Sequence, residues 1–278
     1  MNVREIAKKA ANLSPNYCEI NREERNYAAI LFAALCKPEN ARRFLEHCGF
    51  EPKLGPDFGI YLEYSYLRDL WNEIDSNEIK KEIIRRNLRI KRIDEILKWR
   101  PIEINKEFGV SGDGSPEFVQ NPRNWSISKF QKNFKNDSNE DFLKICRFKW
   151  AFNIKPDIVI HLDKNNAICI EAKYESYEGS YPSSPADKEI FEERGIDLKN
   201  KELKKTLKLK QTDLQEYMMT ELLGLETKFM FLVRKGKENE KPGKPRVVHW
   251  KTAFGWLDLG DLPCFAIEMI RRISEEKK

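Results

Sequence analysis

The chain has 278 residues, of which 40% are hydrophobic and 34% charged, with a formal net charge of +5. That is enough apolar material for a core, and the aromatic content of 11% is too high for a globally disordered chain. No apolar run approaches the roughly 18 residues of a membrane span, and the mild positive charge is compatible with a polyanionic partner without requiring one.

The opening "MNVREIAKKAANLSP" lacks the apolar stretch of a signal peptide, so a cytoplasmic location is expected. "NREERNYAAILFAALCKPENARRFLEHCGF" places Tyr27, Ile30, Leu31, Ala34 and Leu35 at the spacing of one buried helix face. Asn21 is its candidate cap, Glu23 and Glu24 sit in the first turn, and Pro38 ends it or starts the next helix. "YLEYSYLRDLWNEI" and "SNEIKKEIIRRNLRIKRIDEILKW" read as two further helices, closed by Pro101. Residues 101–140, including "EFGVSGDGSPEFVQNPRNW", are rich in Gly, Pro, Asn and Ser and read as loop, followed by a short helix at about 138–148. "FGVSGDGSP" lacks the G-K-[ST] ending of a phosphate loop, which makes Asp113 a poor ligand.

From residue 154 the pattern turns to β. "DIVIHL" and "AICIEAK" are β-branched and apolar, joined by the turn-forming "DKNN". Residues 174–200 show no clear period. A helix is expected from about Asn200 to Leu223, ended by Gly224, followed by the strands "KFMFLVRK" and "RVVHWKTA" and a terminal helix. Helices, hairpin, helix, strands and helix in this order make an α/β layered domain with helical additions. The six cysteines form no C-x-x-C pair, and three histidines are too few for a His-rich metal site.

The hairpin carries three charges on otherwise apolar strands. Alternation puts Glu171 and Lys173 on one face and Ala172 on the other. Pairing through the "DKNN" turn brings Asp157 beside Glu171. Two convergent carboxylates with a neighbouring ammonium suit a hard cation, with the Ala172 carbonyl as a further oxygen ligand. Lys173 is then placed to serve an attacking water or to stabilise developing charge. His161 and His249 have no partner that would make either a catalytic base.

Pro156-Asp157, thirteen residues, then Glu171-Ala172-Lys173 resembles the PD-(D/E)xK motif of the restriction-endonuclease-like nuclease superfamily. The resemblance covers about residues 150–250. It implies a central mixed β-sheet flanked by helices and a boundary between a mainly helical region, 1–137, and a nuclease core, 138–278. It further implies Mg²⁺- or Mn²⁺-dependent cleavage of DNA phosphodiesters, with Asp157 and Glu171 as metal carboxylates and Lys173 as the catalytic lysine. Members of the family often add an acid from a preceding helix. Glu24 is the first candidate, then Glu23, then Glu140 or Asp141. A Q-x-x-x-Y helix pattern is met only loosely, because Gln211 and Tyr217 stand six apart. Lys204 and Lys208, with Lys201 and Lys205, are candidate contacts to a phosphate backbone, and so are Gln211 and Tyr217. "KKEIIRRNLRIKR" and the tyrosines Tyr174, Tyr177 and Tyr181 read better as a solvated helix and a packed loop. A duplex cutter needs two active sites, as a symmetric dimer supplies, or two successive nicks, and the analogy extends to a restriction or other bacterial defence role. The alternatives are a catalytically silent nucleic-acid-binding member of the fold and a protein-interaction module.

Overall fold

The structure, a computed structural model, describes residues 24–110, 117–173, 179–200, 206–234 and 245–274. Helix α1 (Glu24–Leu35) buries Tyr27, Ala28, Ile30, Leu31, Ala34 and Leu35, the face its spacing dictates. Pro38 opens α2 (Pro38–His47), where a missing N–H does no harm. Strand β1 (Gly59–Leu62) is followed by helices α3 (Tyr66–Glu73), α4 (Asn77–Leu88), α5 (Lys91–Ile96) and α6 (Pro101–Glu107). Next come α7 (Ile127–Asn133) and α8 (Asn139–Ala151), the hairpin β2 (Ile158–His161) and β3 (Asn166–Lys173), and helix α9 (Pro185–Glu193). Helix α10 (Gln211–Glu216) runs on as a π-helical segment, Tyr217–Leu222. Strands β4 (Glu226–Val233) and β5 (Arg246–His249) and helices α11 (Trp250–Gly255) and α12 (Cys264–Ser274) close the chain. No helix among the described residues is long and apolar enough to cross a membrane.

Several sequence expectations are corrected. The stretch from Tyr61 is not helical at its start: Gly59–Leu62 is a strand, because pairing with β2 overrides helix propensity. The run expected as one helix after Ser76 divides at Arg89, which adopts a left-handed conformation with φ 52. Pro101 opens a helix instead of closing one, and Glu103 accepts the Arg100 N–H at 3.1 Å. Part of the expected 101–140 loop is therefore helical, as α6 and α7. Helix α9 lies in a stretch read as aperiodic, although Ser184 caps it through the Asp187 N–H and Pro185 takes its first position. The long helix expected from Asn200 is interrupted at Lys208, with φ 51. The last expected strand ends at His249, and Trp250 begins a helix.

The chain forms two compact units. The first comprises residues 1–64, 156–177 and 227–278, and the second residues 65–155 and 178–226, so the 137/138 position lies inside the second. The first unit holds one five-stranded sheet in the order β1-β2-β3-β4-β5. β1/β2 and β2/β3 are antiparallel and β4/β5 parallel, so the sheet is mixed. Helices α1, α2, α11 and α12 cover one face. There Ile158, Ile160, Ile168, Ile170, Ala172, Met230, Leu232 and Val248 join Leu31, Phe44, Trp250 and Ile270 in one core.

The second unit is helical. Phe108 stacks on Trp125 at 4.0 Å, and Phe130 and Phe134 meet Phe108 edge-on and stacked. The π-helical segment is followed by Gly224, whose φ of 68 lets the Leu225 N–H reach back to the Met219 carbonyl at 2.9 Å. A Cβ at 224 meets no atom within 4 Å, so only the backbone conformation resists substitution. Gly224→Ala is expected to lower stability by about 1 kcal/mol, read as a shifted urea midpoint with an unchanged slope.

Candidate active site

The hairpin turn forms as its residues require: Asp163 accepts the N–H groups of Asn165 and Asn166 at 2.7 and 2.9 Å. This sets the register. Ile158 pairs with Ile170, so Asp157 lies opposite Glu171. On the other side, Leu62 pairs with Ile158, and the Glu63 N–H donates to the Asp157 carbonyl at 2.8 Å. Glu63, Asp157 and Glu171 therefore form a row across β1, β2 and β3, where β2 begins and β3 ends. Side chains at 157, 159 and 161 share one face, while Ile158 and Ile160 enter the helix-covered core. Ala172 enters that core as well, which leaves Glu171 and Lys173 together on the opposite side, as the alternation requires.

Asp157 Oδ2 accepts the Ala172 N–H at 2.8 Å, which fixes the carboxyl against β3. Lys173 Nζ donates to Glu171 Oε1 at 2.7 Å, with the Glu171 side chain 5% exposed and that of Lys173 14%. The Trp250 Nε1–H donates to the Lys173 carbonyl at 3.3 Å, and the Trp250 ring lies 6.0 Å from that of Tyr27 on α1. The helix that carries Glu24 is thus tied to the end of β3, and Glu24 acts electrostatically on Lys173.

The electrostatics follow from burial and from the charge count. Burial, then the neighbouring Glu171 carboxylate, push the Asp157 carboxyl up from 3.8 to about 7; the Ala172 N–H and Lys173 only partly oppose them. Burial works against the Lys173 ammonium too. Glu171, by charge and hydrogen bond, together with Glu24 and Asp157 outweighs it, so Lys173 is held above the ordinary lysine value. Lys173 therefore stands at neutral pH as a cation.

Comparison with protein-family models, with characterised proteins and with solved structures found no match.

The charged oxygens at this site come from Asp157 and Glu171, and their charge is balanced only in part by Lys173. That chemistry fits a hard divalent cation better than a thiophilic one. Among the described residues no group of three or more His, Cys, Asp or Glu side chains is arranged to hold a metal.

The other expected residues lie elsewhere. Glu23, Asp113, Lys201, Lys204, Lys205, Tyr174 and Tyr177 are outside the described residues. Glu140 and Asp141 belong to the helical unit and engage Lys144. Lys208 is exposed there, off any long helix, and the Gln211 N–H donates to the Gly179 carbonyl at 2.9 Å. Tyr217 is interior: its ring lies 4.7 Å beneath the Arg147 guanidinium, and burial pushes its phenol up to about 12. Tyr181 packs on Trp150 at 5.2 Å, as expected of a packed loop. In the Lys80–Arg92 stretch, Lys80 sits over the Trp71 and Phe118 rings and Arg85 and Arg86 engage Glu82, so much of that helix's charge is locally partnered.

Sequence reasoning missed Glu63 and the pairing of His161. Glu63 has φ 52 and an Arg25 guanidinium 3.6 Å away, and it contributes to the raised Asp157. No local sequence signal marked Glu63, because its place beside Asp157 depends on the pairing of β1 with β2. His161 is buried, with Nε2 2.7 Å from the Tyr64 hydroxyl. Burial lowers its pKa below the ordinary 6.5. Its contribution to stability is therefore complete above that value and is lost as pH falls through the lower folded one. His161→Phe is expected to flatten the acid limb of the stability profile relative to wild type. Urea unfolding across about pH 5–7 checks this, and an identical acid limb in the two proteins would refute it.

Proposed function

We propose that the sheet unit is a metal-dependent phosphodiesterase of restriction-endonuclease-like fold acting on nucleic acid, with DNA as the substrate that the motif's resemblance favours. One observation carries the reading. Asp157 and Glu171 face each other across two central strands with Lys173 on the same side, and this is the arrangement that the spacing of Pro156-Asp157 and Glu171-Ala172-Lys173 implied.

Asp157, Glu171 and the Ala172 carbonyl would hold Mg²⁺ or Mn²⁺. Bound there, the ion would supply charge neutralisation at the phosphate and a more acidic water. The chain's own residues do the rest. The Ala172 N–H holds Asp157 in place. Lys173, as a cation, orients a water by donating to it and stabilises negative charge building on the phosphate oxygens. Its raised pKa makes it a poor base, so its part is electrostatic. Glu24 adds negative charge beside Lys173 and is the helix-borne acid of the reading. A cutter of both strands needs the two active sites of a symmetric dimer or two successive nicks, and a defence role rests on analogy alone.

Supercoiled and linear DNA incubated with the full chain in Mg²⁺, Mn²⁺ or EDTA tests the reading. Cutting with either metal and none in EDTA is expected. A silent nucleic-acid-binding fold is the competing reading, favoured by the Glu171 carboxylate being engaged by Lys173 at 2.7 Å. Titration of wild type and Asp157→Ala with Mn²⁺ separates the two: a catalytic site binds the ion and loses it on substitution, and a silent fold shows no such difference.

A further inference from the structure

The face that carries Asp157 and Glu171 continues along β1 and β2 into an aromatic cluster. Tyr61 lies opposite Val159 on β1, an edge strand of the sheet, and stays 38% exposed. Its ring folds back over Gly59: a Cβ there would meet the ring and its hydroxyl at 3.0 Å. His161 meets the ring at 5.0 Å, and Tyr64 meets it edge-on at 5.5 Å and 74°. In a regular strand Tyr64, three residues on, would point to the opposite face. The left-handed Glu63 breaks the alternation and brings Tyr64 to the same side, where His161 holds its hydroxyl. The Tyr61 ring is thus supported from beneath and from one side, with accessible surface remaining.

A rigid exposed ring stacks on any base, because every base has a π-face. In a closed duplex those faces are covered by neighbouring pairs. The ring lies between two and four strand positions from the Glu63–Asp157–Glu171 row, roughly 7–13 Å, on the order of one or two nucleotides of an extended strand. We infer that Tyr61 is a stacking platform for an unpaired base of the strand whose phosphate lies at Asp157 and Glu171. The substrate class is then single-stranded or locally opened nucleic acid. This rests on the phosphodiesterase reading. Covering a bare glycine on an edge strand is the merely structural role such a ring could have, and the test must tell the two apart.

The probes are a fluorescein-labelled mixed-sequence single strand and the same sequence closed into a duplex with hairpin caps. Binding is read by anisotropy in EDTA and cleavage in Mg²⁺, always with the full chain. Wild type is expected to favour the single strand. Tyr61→Leu should weaken its binding and raise its KM about tenfold with kcat unchanged, while Tyr61→Phe stays within about twofold of wild type. Gly59→Ala, which keeps the ring but displaces it, should resemble Tyr61→Leu. Duplex binding should not move. A structural role would instead lower Tm and weaken both probes alike, which would overturn the inference. So would single-strand binding by Tyr61→Leu equal to wild type. Wild type that cuts duplex freely with no effect at Tyr61 removes this inference and leaves the phosphodiesterase reading standing. Wild type that neither binds nor cuts either probe removes both.

Discussion

On the proposed phosphodiesterase reading, Lys173→Arg is expected to leave the protein folded and to slow cleavage by about 10²-fold or more. The arginine keeps the positive charge that Glu171 needs but replaces a compact, rotatable ammonium with a planar fork, which cannot occupy the same 2.7 Å position on Glu171 Oε1 and serve a water as well. Lys173→Ala is the harsher change. It leaves Glu171, 5% exposed, beside Asp157 without its cation, and costs about 3 kcal/mol of stability besides the activity. Comparing the two variants therefore separates catalysis from folding. Circular dichroism melts and single-turnover cleavage on the same preparations make the check. Lys173→Arg cutting at the wild-type rate would remove Lys173 from the site's chemistry, and equal cutting by Lys173→Ala and wild type would place the activity elsewhere.

The hairpin was legible because its information is local. Apolar β-branched runs, four turn-forming residues and an odd–even rule suffice to set Asp157 against Glu171, and the register agrees. Helix α1 was legible for a similar reason, since its apolar positions repeat at helical spacing. Strand β1 was not. Gly59–Leu62 is short and becomes a strand only through pairing with β2, from which the whole segment 65–155 separates it. The same separation hid the division of the chain, since neither unit is continuous in sequence. Glu63 was missed with β1, because its place beside Asp157 exists only once that strand is paired. Tyr217 illustrates a different limit. A tyrosine on a basic, amphipathic stretch has the same sequence pattern whether it meets a ligand or a neighbouring helix, and only burial under Arg147 decides between them. Composition misled in the 101–140 segment, where Pro101 and Ser126 were read as loop formers but stand at helix starts.

Asp157→Asn is expected to abolish the proposed cleavage and, in EDTA, to raise stability. The carboxyl is pushed up from 3.8 to about 7, so the folded state holds a proton there that the unfolded state releases at lower pH. Its contribution is therefore fully present below about pH 4 and lost as pH rises through about 7. Above that pH wild type carries two carboxylates against one ammonium, whereas asparagine keeps the shape and can still accept the Ala172 N–H. Discounting for water around a side chain that is not fully enclosed, the gain is about 2 kcal/mol, or on the order of 5 °C in Tm. Below about pH 4 the two proteins should converge. Melting curves across pH with and without Mn²⁺ test the whole argument. Without metal, Asp157→Asn should melt higher at neutral pH. With metal, wild type should gain and the variant should not, because only the carboxylate recovers its missing counter-charge from a bound ion. A variant that melts lower than wild type throughout would mean that Asp157 is retained for packing, and the strain between Asp157 and Glu171 would lose its place as the mark of a functional site.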